Sequence, residues 1–256
     1  MANTVTEYYN NYDEEHRLFK DNLHRIEWLT TMHFFDKLLK PESKIFDGCA
    51  GTGSYSFALA EKGHHVTASD IVPSNVALIR SKQQNTPILR DIFTGDICHV
   101  PQYTDEYFDT VLCMGAFYHL DHKTRISAMQ ECLRLLKKDG LLAVSYISLM
   151  ASLALNLHEH LENIDTIRDC YHKQTFGDSF TFMTPQDAES LAGLFSLKIV
   201  KHLTTDGPAY LYADKINSAD SDNFNKYIQL HIETCEDKSI LGLGLHGLII
   251  FQKCER

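Results

Sequence analysis

Residues 45–56 read IFDGCAGTGSYS. A short apolar run ends in Asp47, and three glycines, Gly48, Gly51 and Gly53, then precede the apolar stretch SFALAEKG. Glycines at such a turn let a ligand approach bare backbone and tolerate positive φ. A following helix would turn its N-terminal N–H groups toward that ligand. The order is G-x-x-G-x-G, not the G-x-G-x-x-G of dinucleotide binders. An acid at the end of the first strand opposes a pyrophosphate and suits a ligand carrying an ammonium group.

Strand-like and helix-like runs alternate outward from this turn. KIFD is strand-like, GSYSFALAEKG is helical and closes at Gly63, and HHVTASD is a second strand ending in Asp70. PSNVALIRSKQQ reads as helix, PILRDIFTGDI carries a weaker third strand, and FDTVLCMGAFYHL is a fully buried fourth strand. KTRISAMQECLRLLKKDG places Ile126, Met129, Leu133 and Leu136 on one helical face, ending at Gly140, before the strand GLLAVSYIS. This alternation predicts a doubly wound, mostly parallel α/β sheet.

Before it, residues 13–40 carry apolar residues at helical spacing up to Pro41 and predict a helical cover. After it, residues 149–183 and 205–240 read as two insertions, with the helix TPQDAESLAGLF and the strands SLKIVKHLTT and LHGLIIFQK around the second. The expected organisation is one domain over 1–256: cover 1–40, cofactor core 41–148, and two lids over the ligand crevice.

The motif order resembles the class I S-adenosylmethionine-dependent methyltransferases, strongly over about residues 40–150. FDGCAGTGSYSFALAEKGHHVTASD is similar to the family's first two motifs. The resemblance implies a seven-stranded sheet, S-adenosylmethionine as cofactor and S-adenosylhomocysteine as product. It implies that Asp47, Gly48, Ala50, Gly51 and Gly53 form the cofactor turn and that Asp70, followed by Ile71, holds the ribose hydroxyls. The gap from Asp47 to Asp70 matches the roughly 20 residues common for such acids. TGDI resembles the adenine loop, with Asp96 at the amino group and Ile97 giving a backbone N–H. FDTVLCMGAFYHL adds Met114 to the cofactor wall and resembles a branch acting on small molecules. In the turn before the fifth strand, Asp139 replaces one of two glycines.

Tyr118 and His119 follow the fourth strand, where the methyl group would leave. A histidine titrating near neutrality suits a general base, and capping or packing is the plain alternative. Tyr9, with Tyr8, precedes the cover and is a candidate partner of the cofactor carboxylate, as are Arg17 and Arg25. His158 and His160 lie two apart, so they do not share a helix face, and no metal site is expected.

The lids carry Phe176, Phe180, Phe182, Met183, Tyr210, Tyr212, Phe224 and Tyr227, which suits a small, partly apolar acceptor. Over 149–183, Arg168 and Lys173 face Glu159, Glu162, Asp165, Asp169 and Asp178, which favours a neutral or cationic one. The net charge of −10 argues against nucleic acid and anionic membrane. Seven scattered cysteines and a polar, acidic start predict a cytoplasmic protein, and no apolar run is long enough to span a bilayer. The sequence leaves the oligomeric state open. The predicted function is methyl transfer to oxygen, nitrogen or sulfur of a small molecule. A non-catalytic cofactor-binding regulator, a protein or RNA methyltransferase, and a nicotinamide dehydrogenase remain as alternatives.

Overall fold

The computed structural model describes residues 13–85, 87–177 and 180–254. Its strands are β1 Lys44–Asp47, β2 His65–Asp70, β3 Asp91–Thr94, β4 Phe108–Cys113, β5 Leu136–Ile147, β6 Thr175–Phe176, β7 Phe180–Thr181, β8 Leu197–Thr204 and β9 His246–Lys253. Seven form one sheet in the order β3-β2-β1-β4-β5-β9-β8, and β6 and β7 make a separate small hairpin. β1 to β5 run parallel, while β9 is antiparallel to both β5 and β8.

Helices α1 Asn22–Leu38, α2 Ser54–Glu61, α3 Pro73–Asn85, α4 His122–Leu135, α5 Leu149–Glu159, α6 Ile164–Lys173, α7 Pro185–Phe195, α8 Ala213–Asn217 and α9 Ser221–Thr234 flank the sheet or cover its edge. Neighbouring strand residues point to opposite faces. Ile45, Leu112 and Ile250 join Phe34, Phe35 and Leu59 in one apolar layer. Phe46, Val111 and Ile249 join Met129, Cys132 and Leu191 in the other. Both faces are covered, which is why β4 reads as a continuous apolar run.

The sheet turns back on itself at β1. The chain steps outward from β1 to β2 and β3, then crosses to β4 on the other side of β1. That reversal opens a crevice at the carboxyl ends of β1 and β4.

Two boundaries differ from the sequence reading. α4 ends at Leu135, so Leu136 to Gly140 belong to β5 rather than to the helix. Asp139, standing where a glycine was expected, adopts φ +59°. The first insertion packs Leu149, Leu153, Ile167, Cys170 and Phe182 into a cluster of its own. The second packs Ala209, Ile216 and Phe224 onto Ile26 of α1. Among the described residues, no helix is long and apolar enough to cross a membrane.

Candidate active site

The turn after β1 is fixed by backbone bonds to both neighbouring strands. Gly48 N donates to Leu112 O at 3.0 Å, and Ala50 N donates to Ser69 O at 2.9 Å. A Cβ at Gly48 would meet the tip of the Ile97 side chain, which would have to move aside, so glycine lets the turn lie directly against the loop after β3. Gly51 and Gly53 hold φ +53° and +89°, the latter capping α2. The turn is therefore a preformed backbone surface.

Asp70 ends β2 beside it. One carboxylate oxygen accepts Gly51 N at 2.8 Å. The other accepts Val72 N at 2.8 Å and Asn75 Nδ2 at 3.3 Å. Burial raises the Asp70 pKa above the ordinary carboxylate range, with those three donors working against the rise. Both lone-pair sites of Oδ1 are thus taken, while Oδ2 retains one for a further hydroxyl. Asp96 follows β3 and accepts Cys98 N at 2.9 Å, next to the buried Ile97.

These residues open on one cleft enclosing about 1260 Å³ of non-protein space, its solvent mouth included. Arg17, Gly48, Ala50, Gly51, Asp70, Ile71, Asp96, Ile97, Met114, Tyr118 and His119 all line it. His119 is buried on a 3-10 turn, its ring 4.7 Å from that of Tyr118 and 5.1 Å from that of Phe180.

Four sequence expectations are corrected. Asp47 does not line the cleft: it is 2% exposed and accepts Ser56 Oγ at 2.6 Å. Burial pushes its carboxyl up to about 7, against the Ser56 bond and with the Asp70 charge adding to the rise. Gly53 also stands behind the lining, its role being the helix start. Arg25 lies away from the cleft, its guanidinium 5.5 Å from the Phe224 ring centre. None of the eight lid residues named above lines the cleft; Phe182 and Met183 are core, and Phe224 packs on α1. Phe180 comes nearest, its ring 5.1 Å from that of His119, while Phe176 and Tyr212 are exposed. Tyr9 and Tyr8 lie outside the described residues.

Another part of the cleft carries charged side chains, of which the sequence reading named Arg17 and missed Glu14, Glu27 and His246. Arg17 bonds Glu27 with both terminal nitrogens, at 2.7 and 3.1 Å, and Glu14 through Nε at 3.2 Å. Burial opposes the Arg17 charge, but Glu27 and Glu14 outweigh it and hold the guanidinium firmly protonated. Burial likewise pushes Glu27 up, yet Arg17 and His246 bring it down to about 2. His246, Thr205 and Ser145 complete this end of the lining. His246 opens the last apolar strand, and the antiparallel direction of that strand brings its first residue to the crevice. A polar residue at a strand start was the available signal; strand direction was not readable.

Comparison with known proteins fits this geometry. Residues 46–144 match the model of a family described as "Methyltransferase domain". The match covers 99 of the 256 residues, from β1 into β5, and makes this span similar to methyltransferase domains. The ubiquinone biosynthesis O-methyltransferase of Xylella fastidiosa strain M23 is 32% identical over 106 residues, 41% of this chain and 42% of that protein. The chain spans less than half the length of the curated relatives it matches. A solved S-adenosylmethionine-dependent methyltransferase of Methanosarcina mazei is 16% identical, covering 87% of this chain and 98% of its own, with TM-score 0.58. The [4+2]-cyclase SpnF is 15% identical, covering 90% of this chain and 81% of its own, with TM-score 0.55. Such likenesses establish the fold, and the cyclase is a reminder that chemistry resides in the site.

The described residues suit the family's cofactor. A glycine-rich turn, a buried carboxylate at the end of β2 and a second acid after β3 line one side of the cleft. Among the described residues, no group of three His, Cys, Asp or Glu is arranged to hold a metal ion.

Proposed function

We propose that the chain transfers a methyl group from S-adenosylmethionine to a small-molecule acceptor. The observation that carries this reading is Asp70, 7% exposed yet lining the cleft, with Gly51 N already bonded to it. A buried acid fixed in this way holds its remaining Oδ2 lone pair ready for a ribose hydroxyl without reorganising. Asp96 and Ile97 would bind the adenine edge, and the turn Gly48 to Gly51 would lie along the methionine portion.

The cofactor supplies a methyl group on a positively charged sulfur, a ready electrophile. The chain's contribution is to hold an acceptor in line with that carbon and to keep water out. Tyr118 and His119 flank the middle of the cleft, and Arg17, Glu27, Thr205 and His246 line its far side. Acids outnumber permanent cations there, with Glu14 and Glu27 around Arg17, which favours a neutral or cationic acceptor. The acidic net charge of −10 speaks against RNA, and seven free cysteines accord with a reducing compartment.

Isothermal titration with S-adenosylhomocysteine tests the reading. Micromolar binding by the wild type, lost in Asp70→Ala, is the expected result. Heat-silent titration of the folded wild type, backed by no change in its melting temperature with the ligand, would sink it.

A further inference from the structure

The far side of the cleft holds a histidine arranged for proton transfer. Its Nδ1 lies 2.7 Å from Asp206 Oδ2. A carboxylate only accepts, so Nδ1 carries the proton, and Nε2 is the bare nitrogen of the neutral ring. The His246 side chain is 32% exposed and lines the cleft, and among the described residues no protein group is hydrogen-bonded to Nε2. The frame around the pair is rigid. His246 N donates to Asp206 Oδ1 at 3.2 Å, and Thr205 N donates to His246 O at 2.9 Å. The Thr204 hydroxyl, with one proton to donate, lies 3.4 Å from Asp206 Oδ1 and 3.3 Å from His246 O.

Topology places this pair opposite the cofactor acids. Asp70 ends β2 and Asp96 follows β3, on one side of β1. His246 pairs with Ile147 at the carboxyl end of β5, on the other side of β4. A ligand bridging Asp70 and the glycine turn leaves the His246 end for the second reactant.

We propose that His246 and Asp206 form a proton-accepting dyad for a hydroxyl acceptor, with Nε2 of His246 taking the hydroxyl proton and Asp206 positioning the ring. This rests on the methyl-transfer reading. The acceptor O–H bond breaks and its proton passes to Nε2. The oxygen pair forms the new bond to the methyl carbon, and the carbon–sulfur pair returns to sulfur, leaving a neutral thioether. The proton then leaves His246 for solvent as product departs. A thiol ionises near neutrality unaided, whereas a phenol at about 10 gains most from such a base. The groups facing His246 are Glu27 from α1, Arg17 from the turn before it, and Asp206. Burial lowers the imidazole pKa and Arg17 adds to that, but Glu27 and Asp206 outweigh both and hold it above 6.5. The dyad therefore switches on as pH rises through a midpoint above that value.

The test combines nitrogen NMR with turnover. Protein labelled with 15N-histidine and saturated with S-adenosylhomocysteine is titrated with acid and base, and the His246 signal is assigned by its loss in His246→Gln. The expected neutral form bears its proton on Nδ1, and Asp206→Asn lowers its midpoint. Tritiated methyl transfer is then measured with catechol, phenol and hydroquinone as acceptors. His246→Gln should lower kcat/KM roughly 10²–10³-fold, remove the acid-side limb of the profile, and leave S-adenosylhomocysteine affinity unchanged. Asp206→Asn should shift that limb with the NMR midpoint. An Nε2-protonated neutral ring, or a His246→Gln rate equal to wild type, overturns the dyad. So does a wild type that binds S-adenosylhomocysteine but methylates none of the three phenols. Absent binding would instead strike the methyl-transfer reading itself.

Discussion

Asp70 Oδ2 accepts the backbone N–H of Gly51 at 2.8 Å, tying the end of β2 to the crest of the glycine turn. The bond joins the two elements that a cofactor would bridge, and it stands in the free protein. Preorganisation of this kind removes part of the ordering that binding must otherwise impose.

Substitution at Asp70 should therefore act twice. Asp70→Ala removes the ribose acceptor and releases Gly51 N, Val72 N and Asn75 Nδ2 from their partner. Hydrogen bonds to charged groups contribute about 1.5–3 kcal/mol. Affinity for S-adenosylhomocysteine should fall at least tenfold by calorimetry, and the thermal midpoint should drop. Asp70→Asn should lie between wild type and alanine.

Asp47 should behave in the opposite sense. Its carboxyl titrates near 3.8 when unfolded and near 7 when folded, because burial disfavours the charge. A raised folded value means stability is greatest below about pH 4 and is lost as pH climbs to about 7. Asp47→Asn keeps a hydrogen-bonding group facing Ser56 without the charge. Urea midpoints should show the variant gaining on wild type from pH 4 to pH 8. Its S-adenosylhomocysteine affinity should stay within about threefold, since the side chain is not in the cleft wall. A tenfold loss of affinity would return Asp47 to the binding surface.

Glu27 anchors Arg17 with two bonds at 2.7 and 3.1 Å. Its folded pKa of about 2 lies below the ordinary 4.5, so its stabilising contribution is complete above pH 4.5 and fades as pH falls toward 2. Glu27→Gln leaves a buried guanidinium with Glu14 alone, and breaking such pairs costs about 3–5 kcal/mol. Chemical denaturation at pH 7 should show a loss of that order, shrinking toward wild type near pH 3.

Gly51→Ala should impair the turn without touching a charge. At φ +53° an L side chain pays about 1–2 kcal/mol, and its Cβ would stand 3.3 Å from Glu14 Cγ. Reduced thermal stability together with weaker S-adenosylhomocysteine binding is the expected pair of results. A variant as stable as wild type would show that the turn has other low-energy shapes.

The cofactor half was legible because each piece carries a local signal. The glycine order, Asp70 before Pro73 and the apolar FDTVLC run all follow from backbone geometry and burial within a few residues. The opposite side of the cleft, Arg17 apart, was not, because it is built from distant segments. Glu14, Arg17 and Glu27 come from the cover, Asp206 follows β8, and His246 opens β9. Only strand order and direction bring them together, and neither leaves a periodic trace. The aromatic density of the insertions misled for the same reason: Phe182 and Phe224 fill small cores of their own, and no pattern in a sequence distinguishes a ring that packs from a ring that recognises.

Strand β9 lies between β5 and β8, pairing Ile147 with His246 and Thr204 with Gly247. During synthesis β5 and β8 emerge first and cannot meet, since the strand that separates them is still to come. Residues 44–147 have the local βα connections to collapse early, whereas β8 stays an unpaired edge until residues 246–253 are threaded in. Non-local pairings of this kind are slow to form. On the ribosome, a cofactor-sized ligand could therefore meet a finished half-site before the other wall of the cleft exists.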